Sequence, residues 1–358
     1  MSIRSCLLLL PAALLLLLGS ASSGALAQHR TTSGTAALDA EGTVVVDNHE
    51  GRITVETWDR AEVEYEAVVR PEPDADHPEA TVVRVDRSES RVVLRTEYDE
   101  SKENGDDSGW FGGDGQNVMP VEYTLTVPRG ARLEVEDHES EIQVTGLGGP
   151  AAVETHDGSI RLTDPGGDTR IESHDGPIRV ENATGALTVD THDGRVALTG
   201  QDGDADIESH DGPIRVENQT GALTIETHDS DVRLRSVDGR VRIDAHDSDV
   251  EAEGLRGGLE VDTHEGSGRF AFAELTGDVD VRTDDGDFTL VLPAGTGFDL
   301  RTEFDDEGAT LQADFDLSPY RIGGTDENDE VNYSGSVNGG GPRISLSADE
   351  GDFAIRMQ

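Results

Sequence analysis

The sequence is nearly empty of cysteine, lysine and aromatic side chains, and no segment shows a 3.6-residue apolar period. Its one cysteine, Cys6, lies ahead of the first apolar run. No disulfide framework can therefore hold the chain together, and no cysteine sits where a lipobox would place one. Aromatics are 4% of the residues, too few to build the ring platforms on which polysaccharide-processing enzymes seat sugars. Basic groups number 28 against 75 acidic ones, a formal charge of −47. Such a surface repels phosphate backbones and anionic lipid, which excludes nucleic-acid binding and peripheral membrane docking. Large apolar residues are also scarce: Leu, Ile, Val and Phe make up about a fifth of the chain beyond its leader, near the range of disordered polymers. The order of the residues argues against disorder.

Residues 1–27 read as a secretory signal. Arg4 supplies the positive start, Leu7–Leu18 the apolar core and Ala25-Leu26-Ala27 the cleavage pattern. The apolar run is short for a membrane span, although a retained anchor stays open as an alternative. Cleavage would leave no membrane span and a charge of −48, since Arg4 is the only charge in the leader. The expected location is periplasmic, cell-surface or secreted. Lys102 is the sole lysine beside 27 arginines. Acidic, lysine-poor surfaces suit high salt, where the Debye length falls to about 3 Å at 1 M, so a salt-loving source is expected.

The strongest signal is a period. Histidines stand at 138, 156, 174, 192, 210, 228, 246 and 264, spaced by 18 residues throughout. Each is followed by an acid and then Gly or Ser, with Asp at 157, 175, 193, 211, 229 and 247. Counting from the seven histidines 138 to 246, +4 and +6 are apolar (Ile160 and Leu162, Ile178 and Val180), +11 is Gly and +15 is Val or Ile. Alternation of period two means strand, and the Asp-Gly and x-Gly steps mean tight turns. A constant unit with two short strands and two turns is one coil of a single-chain β-solenoid, parallel β-helix-like, its coils stacked about 4.8 Å apart. Neighbouring coils complete each other's core, so few large apolar residues are needed.

The pattern divides the chain. After the signal, 28–136 holds irregular strands and a cap, with an acidic Gly-rich loop at 99–117 that carries Trp110 and Phe111 as a candidate docking patch. Residues 137–286 are the regular solenoid, and 287–358 supply closing strands and a second cap. Asn48-His49-Glu50-Gly51 is an earlier copy of the corner, and Thr283-Asp284-Asp285-Gly286 a later one without histidine. The units Glu154-Thr-His-Asp-Gly-Ser-Ile-Arg-Leu and Asp190-Thr-His-Asp-Gly-Arg-Val resemble a bacterial adhesin-like domain family of unknown function, whose coils repeat Thr-x-x-Gly-x-Ile-x-Val. Gly51–Asp59, Val121–Gly130 and the closing Gly339–Ile355 are similar to it as well. The resemblance covers roughly residues 40–357 and implies an exported β-solenoid with an adhesive role and no known active site. Histidine before the turn glycine departs from it, so no functional residue carries over.

Stacking would place the eight histidines in one row, flanked by the acids at +1 and −2. A solvated corner, a divalent-metal ladder in which neighbouring coils share one ion with Asp as a further ligand, and a pH-responsive row are the competing readings. No cofactor is required by the sequence. The acid rows lack the Gly-Gly-x-Gly-x-Asp spacing of calcium β-rolls. Nucleophile triads, P-loops and dinucleotide fingerprints are absent, and carboxylate pairs recur in every coil, which makes them uninformative for acid–base catalysis. A threonine array for ice binding fails because +17 continues the inward phase. The expected function is a non-enzymatic, monomeric scaffold or adhesin in the cell envelope, its partner an envelope protein or a surface glycan. A polysaccharide-processing β-helix enzyme is the rival.

Overall fold

The computed structural model describes residues 29–71, 79–99, 118–305, 308–323 and 331–358. The signal segment and the loop with Trp110 and Phe111 lie outside them. Among the described residues no helix is long and apolar enough to cross a membrane. The fold is a β-solenoid. Strands eighteen residues apart pair in parallel register, Val153 with Ile171, Ile171 with Val189 and Val189 with Ile207 on one wall. Ile160, Ile178, Val196 and Ile214 pair in the same way on the other wall. The apolar positions +4, +6 and +15 point inward and are buried, as is +13, where Thr169 stands among Ala and aliphatic residues, while the intervening charges face solvent.

A third inward row comes from position +9, occupied by Leu147, Pro165, Ala183, Gln201, Gln219, Val237 and Leu255, all buried. The residue before each of these, at +8, has a positive φ in every regular coil: Gly146, Asp164, Asn182, Gly200, Asn218, Ser236 and Gly254. This left-handed step turns the chain back over the core, and Gly, Asn and Asp enter it at least cost. Residues at +10 add a short third ladder through Thr184, Asp202 and Thr220. Each coil thus closes with one more corner than the two-strand reading supplies.

Glycine at +11 is fixed by contact as well as by φ. At Gly239 φ is 157°, and a Cβ there would lie 1.9 Å from the carbonyl oxygen of Gly221 in the coil below. Beyond Leu275 the repeat lengthens by two residues, so Leu259 pairs with Val279. That displacement puts the next corner at Asp284, twenty residues after His264.

Spatial order departs from chain order at both ends. The strands Thr43–Asp47 and Gly51–Trp58 lie between the outermost layer, Arg91–Tyr98 and Val121–Pro128, and the first regular coil. Residues 43–58 therefore form the second layer of the rod, where the sequence pattern assigned them to an irregular cap. At the other end, Arg343–Ala348 and Asp352–Met357 insert between the layer of Val279–Leu292 and that of Phe298–Ala313. Each end segment is thus held on both sides by strand pairing, which restrains fraying. Antiparallel strands cover three of the outer edges: Thr81–Arg87 on Arg91–Tyr98, Glu62–Val69 on Val121–Pro128, and Asn332–Val337 on Phe298–Phe304. Covered edges block open-ended growth by strand addition.

Candidate functional site: a histidine ladder

The corner between the two long walls repeats so closely that its side chains form columns. Asp175 N–H donates to the carbonyl of His156 at 3.0 Å, Asp193 to His174 at 2.9 Å and Asp211 to His192 at 2.9 Å. These bonds tie corner to corner and fix the position of each histidine. From His138 to His246 successive imidazoles lie 4.6–5.0 Å apart, within 5° of parallel. All eight histidines singled out by the period are in this column, and each is about half-exposed.

The column has a ninth member. His49 stacks on His138 at 5.0 Å and 7°, because its coil is inserted directly beside the first regular one. The signal for it was present in Asn48-His49-Glu50-Gly51, but chain order separates it from His138 by 89 residues. At the far end His264 is turned 47° from His246. Asp284, which occupies the corner position in the next coil, accepts from its Nδ1 at 2.7 Å and raises its pKa above the ordinary imidazole range.

The acids at +1 hold the rings. Asp157, Asp175, Asp193, Asp211, Asp229 and Asp247 each place Oδ1 2.6–3.0 Å from Nδ1 of the preceding histidine. Glu139, one methylene longer, stands 3.4 Å from His138. A carboxylate partner puts the proton of a neutral imidazole on Nδ1 and leaves Nε2 as the free acceptor. Next to the rings runs a groove of about 530 Å³ near His156 and about 360 Å³ near His210. Its second wall is the acid row at −2, including Glu154, Glu172 and Glu208, and Thr or Ser at −1 lie between the two rows. Among the described residues, three groups bring a ligand atom from each member within 4.8 Å of the others: His210 with Asp211 and His228, His228 with Asp229 and His246, and His138 with Glu139 and Asp157.

A polar chain anchors the first rung. Tyr123 and Thr96 share a hydrogen bond of 2.8 Å, Thr96 donates to Asn48 at 2.8 Å, and Asn48 donates to Ser140 at 2.9 Å. Ser140 in turn gives both its hydroxyl and its N–H to Asp137. The chain crosses the inserted coil and locks His49 in register with His138. Burial raises the Asp137 carboxyl above the usual carboxylate range, against the bonds from Ser140 and Thr155 that lower it. It also pushes the Tyr123 phenol upward.

The Toastrack DUF4097 family model matches residues 102–241 and again 223–356. The chain belongs to the Toastrack DUF4097 family. That membership agrees with the resemblance read from the corner motifs, and the two matches place the family pattern along most of the rod. A solved structure from Clostridium sporogenes, described as a "putative cell adhesion protein", aligns over 92% of this Toastrack chain and 100% of its own, at 9% identity and a TM-score of 0.18. This likeness is too slight to bear on fold or function. No functionally curated protein matches the Toastrack chain.

Proposed function

We propose that the protein is an exported, non-enzymatic scaffold of adhesin type, periplasmic, cell-surface or secreted, which presents a repetitive acidic surface to an envelope protein or a surface glycan. The observation that carries this reading is the sameness of the coils. Register, corner bonds and the acids at +1 and −2 repeat every 18 residues from His138 to His246. Catalysis needs a few groups in one unique arrangement, whereas a repeated column multiplies one weak contact along a line, and multivalent attachment gains from that repetition.

Immunolabelling of intact cells and attachment assays with a deletion strain test the proposal. Labelling at the envelope together with reduced attachment of the deletion strain is the expected result. A purely cytoplasmic pool would overturn it. So would release of reducing ends from a defined polysaccharide by the purified chain, which would return the polysaccharide-processing β-helix.

A further inference from the structure

We infer that the histidine ladder binds late first-row divalent ions, Cu²⁺, Ni²⁺ or Zn²⁺, each pinched between the Nε2 atoms of two adjacent coils. This binding is independent of the adhesive reading. Imidazole suits these metals. A histidine that ligates through one nitrogen usually donates its other N–H to a carboxylate, which fixes the tautomer and raises ligand basicity. Six successive rungs already have that arrangement, from His156 with Asp157 to His246 with Asp247. The −2 acids line the same groove, and the net charge of −47 concentrates cations at the surface.

Spacing decides how the ions sit. Parallel rings 4.6–5.0 Å apart hold equivalent nitrogens at that same separation. Metal–nitrogen bonds of about 2.0–2.1 Å span about 4.2 Å when linear and about 3.4 Å at a tetrahedral angle. The stacked rungs as they stand are therefore too far apart to share an ion, and two rings must tilt toward each other by about 0.7 Å each. The rings are half-exposed, and His264 already stands 47° from its neighbour on the same corner. Pinching one pair widens the gap on either side of it, so adjacent gaps exclude each other. Nine rungs then accommodate at most four bridged ions.

Copper titration of the full chain carrying Cys6→Ser, followed by electron paramagnetic resonance, tests this. Saturation at about four Cu²⁺ per chain with two-nitrogen coupling is expected. Two variants share the same number of ladder histidines. H138N/H174N/H210N/H246N leaves no adjacent pair and should lose every two-nitrogen site. H192N/H210N/H228N/H246N leaves His49, His138, His156 and His174 contiguous and should keep two. Asn is a mild replacement, because Asp284 occupies the same corner one coil further on, and circular dichroism checks the strands. Equal two-nitrogen signals in the two variants would overturn the inference. So would wild-type saturation at eight or nine one-nitrogen ions, a result that needs no variant, or full displacement of Cu²⁺ by excess Ca²⁺, which would assign binding to the carboxylates alone.

Discussion

At the scale of single residues, the corner column shows how one position tolerates several chemistries for one task. The residue before each histidine is Thr or Ser in most coils, and in the second regular coil Thr155 Oγ1 accepts the N–H of Gly158 at 3.2 Å. Asp137 does the same for Ser140 in the first regular coil, with a carboxylate that burial drives upward in pKa. A carboxyl with a raised folded pKa contributes stability that is fully present below its unfolded value of about 3.9 and is lost as pH rises through the folded value. Asp137→Thr removes the buried charge and keeps an acceptor for Ser140. Its midpoint in urea should rise at pH 7 by the equivalent of about 1 kcal/mol, and the gain should shrink as pH falls toward 4. A variant equally or less stable at both pH values would show that the bonds from Ser140 and Thr155 outweigh the burial of the charge.

At the scale of the coil, two corners with constrained backbone separate the faces, and they differed in how legible they were. The +11 corner is Gly in all seven coils from His138 to His246, because its Cβ would meet the backbone of the coil below. Gly239→Ala should destabilise by at least about 2 kcal/mol, and an unchanged urea midpoint would disprove the contact argument. The +8 corner was invisible to pattern reading, since Gly, Asp, Asn and Ser all satisfy its left-handed φ. The buried +9 row was hidden for a related reason: Leu147, Gln201 and Val237 share a location and no chemistry. Strand positions and the eight-rung ladder were legible because parallel register demands sameness at a fixed interval. His49 was not placed in the ladder, since its neighbour in space is set by long-range pairing of Ile53 with Ile142 and not by interval. A coil is also the natural unit of deletion. Removing residues 174–191 joins Ser173 to His192 with every row in phase, and the shortened chain should still unfold cooperatively. Removing 174–182 puts a +9 residue where a histidine corner belongs and should abolish folding, as read by circular dichroism.

At the scale of the rod, the acid rows set a demand that the sequence composition only hinted at. Carboxylates recur at −2 and at +1 in coils about 4.8 Å apart, and adjacent like charges at that distance cost about 0.9 kcal/mol in unscreened water. Arginines offset part of this, some within their own strand, as Arg179 with Glu181 and Arg170 with Glu172, and others across coils, as Arg242 with Glu260 and Arg52 with Glu141. Exposed pairs of that kind contribute about 0–1 kcal/mol each. Raising salt from about 0.1 M to 1 M shortens the Debye length from about 10 Å to about 3 Å, below the coil spacing. Each adjacent repulsion should then weaken by about 0.3 kcal/mol. The unfolded chain keeps the same charges at larger separations, so the difference favours the rod. A net gain of about 2 kcal/mol would raise Tm by about 3 °C for a chain of this length. The shape of the curve identifies the cause: screening should saturate near 1 M NaCl, whereas solute exclusion would keep raising Tm steadily toward 3 M. A Tm that stays flat across the whole range would mean that the arginines already neutralise the rows, and that the acidic surface reflects no adaptation to salt.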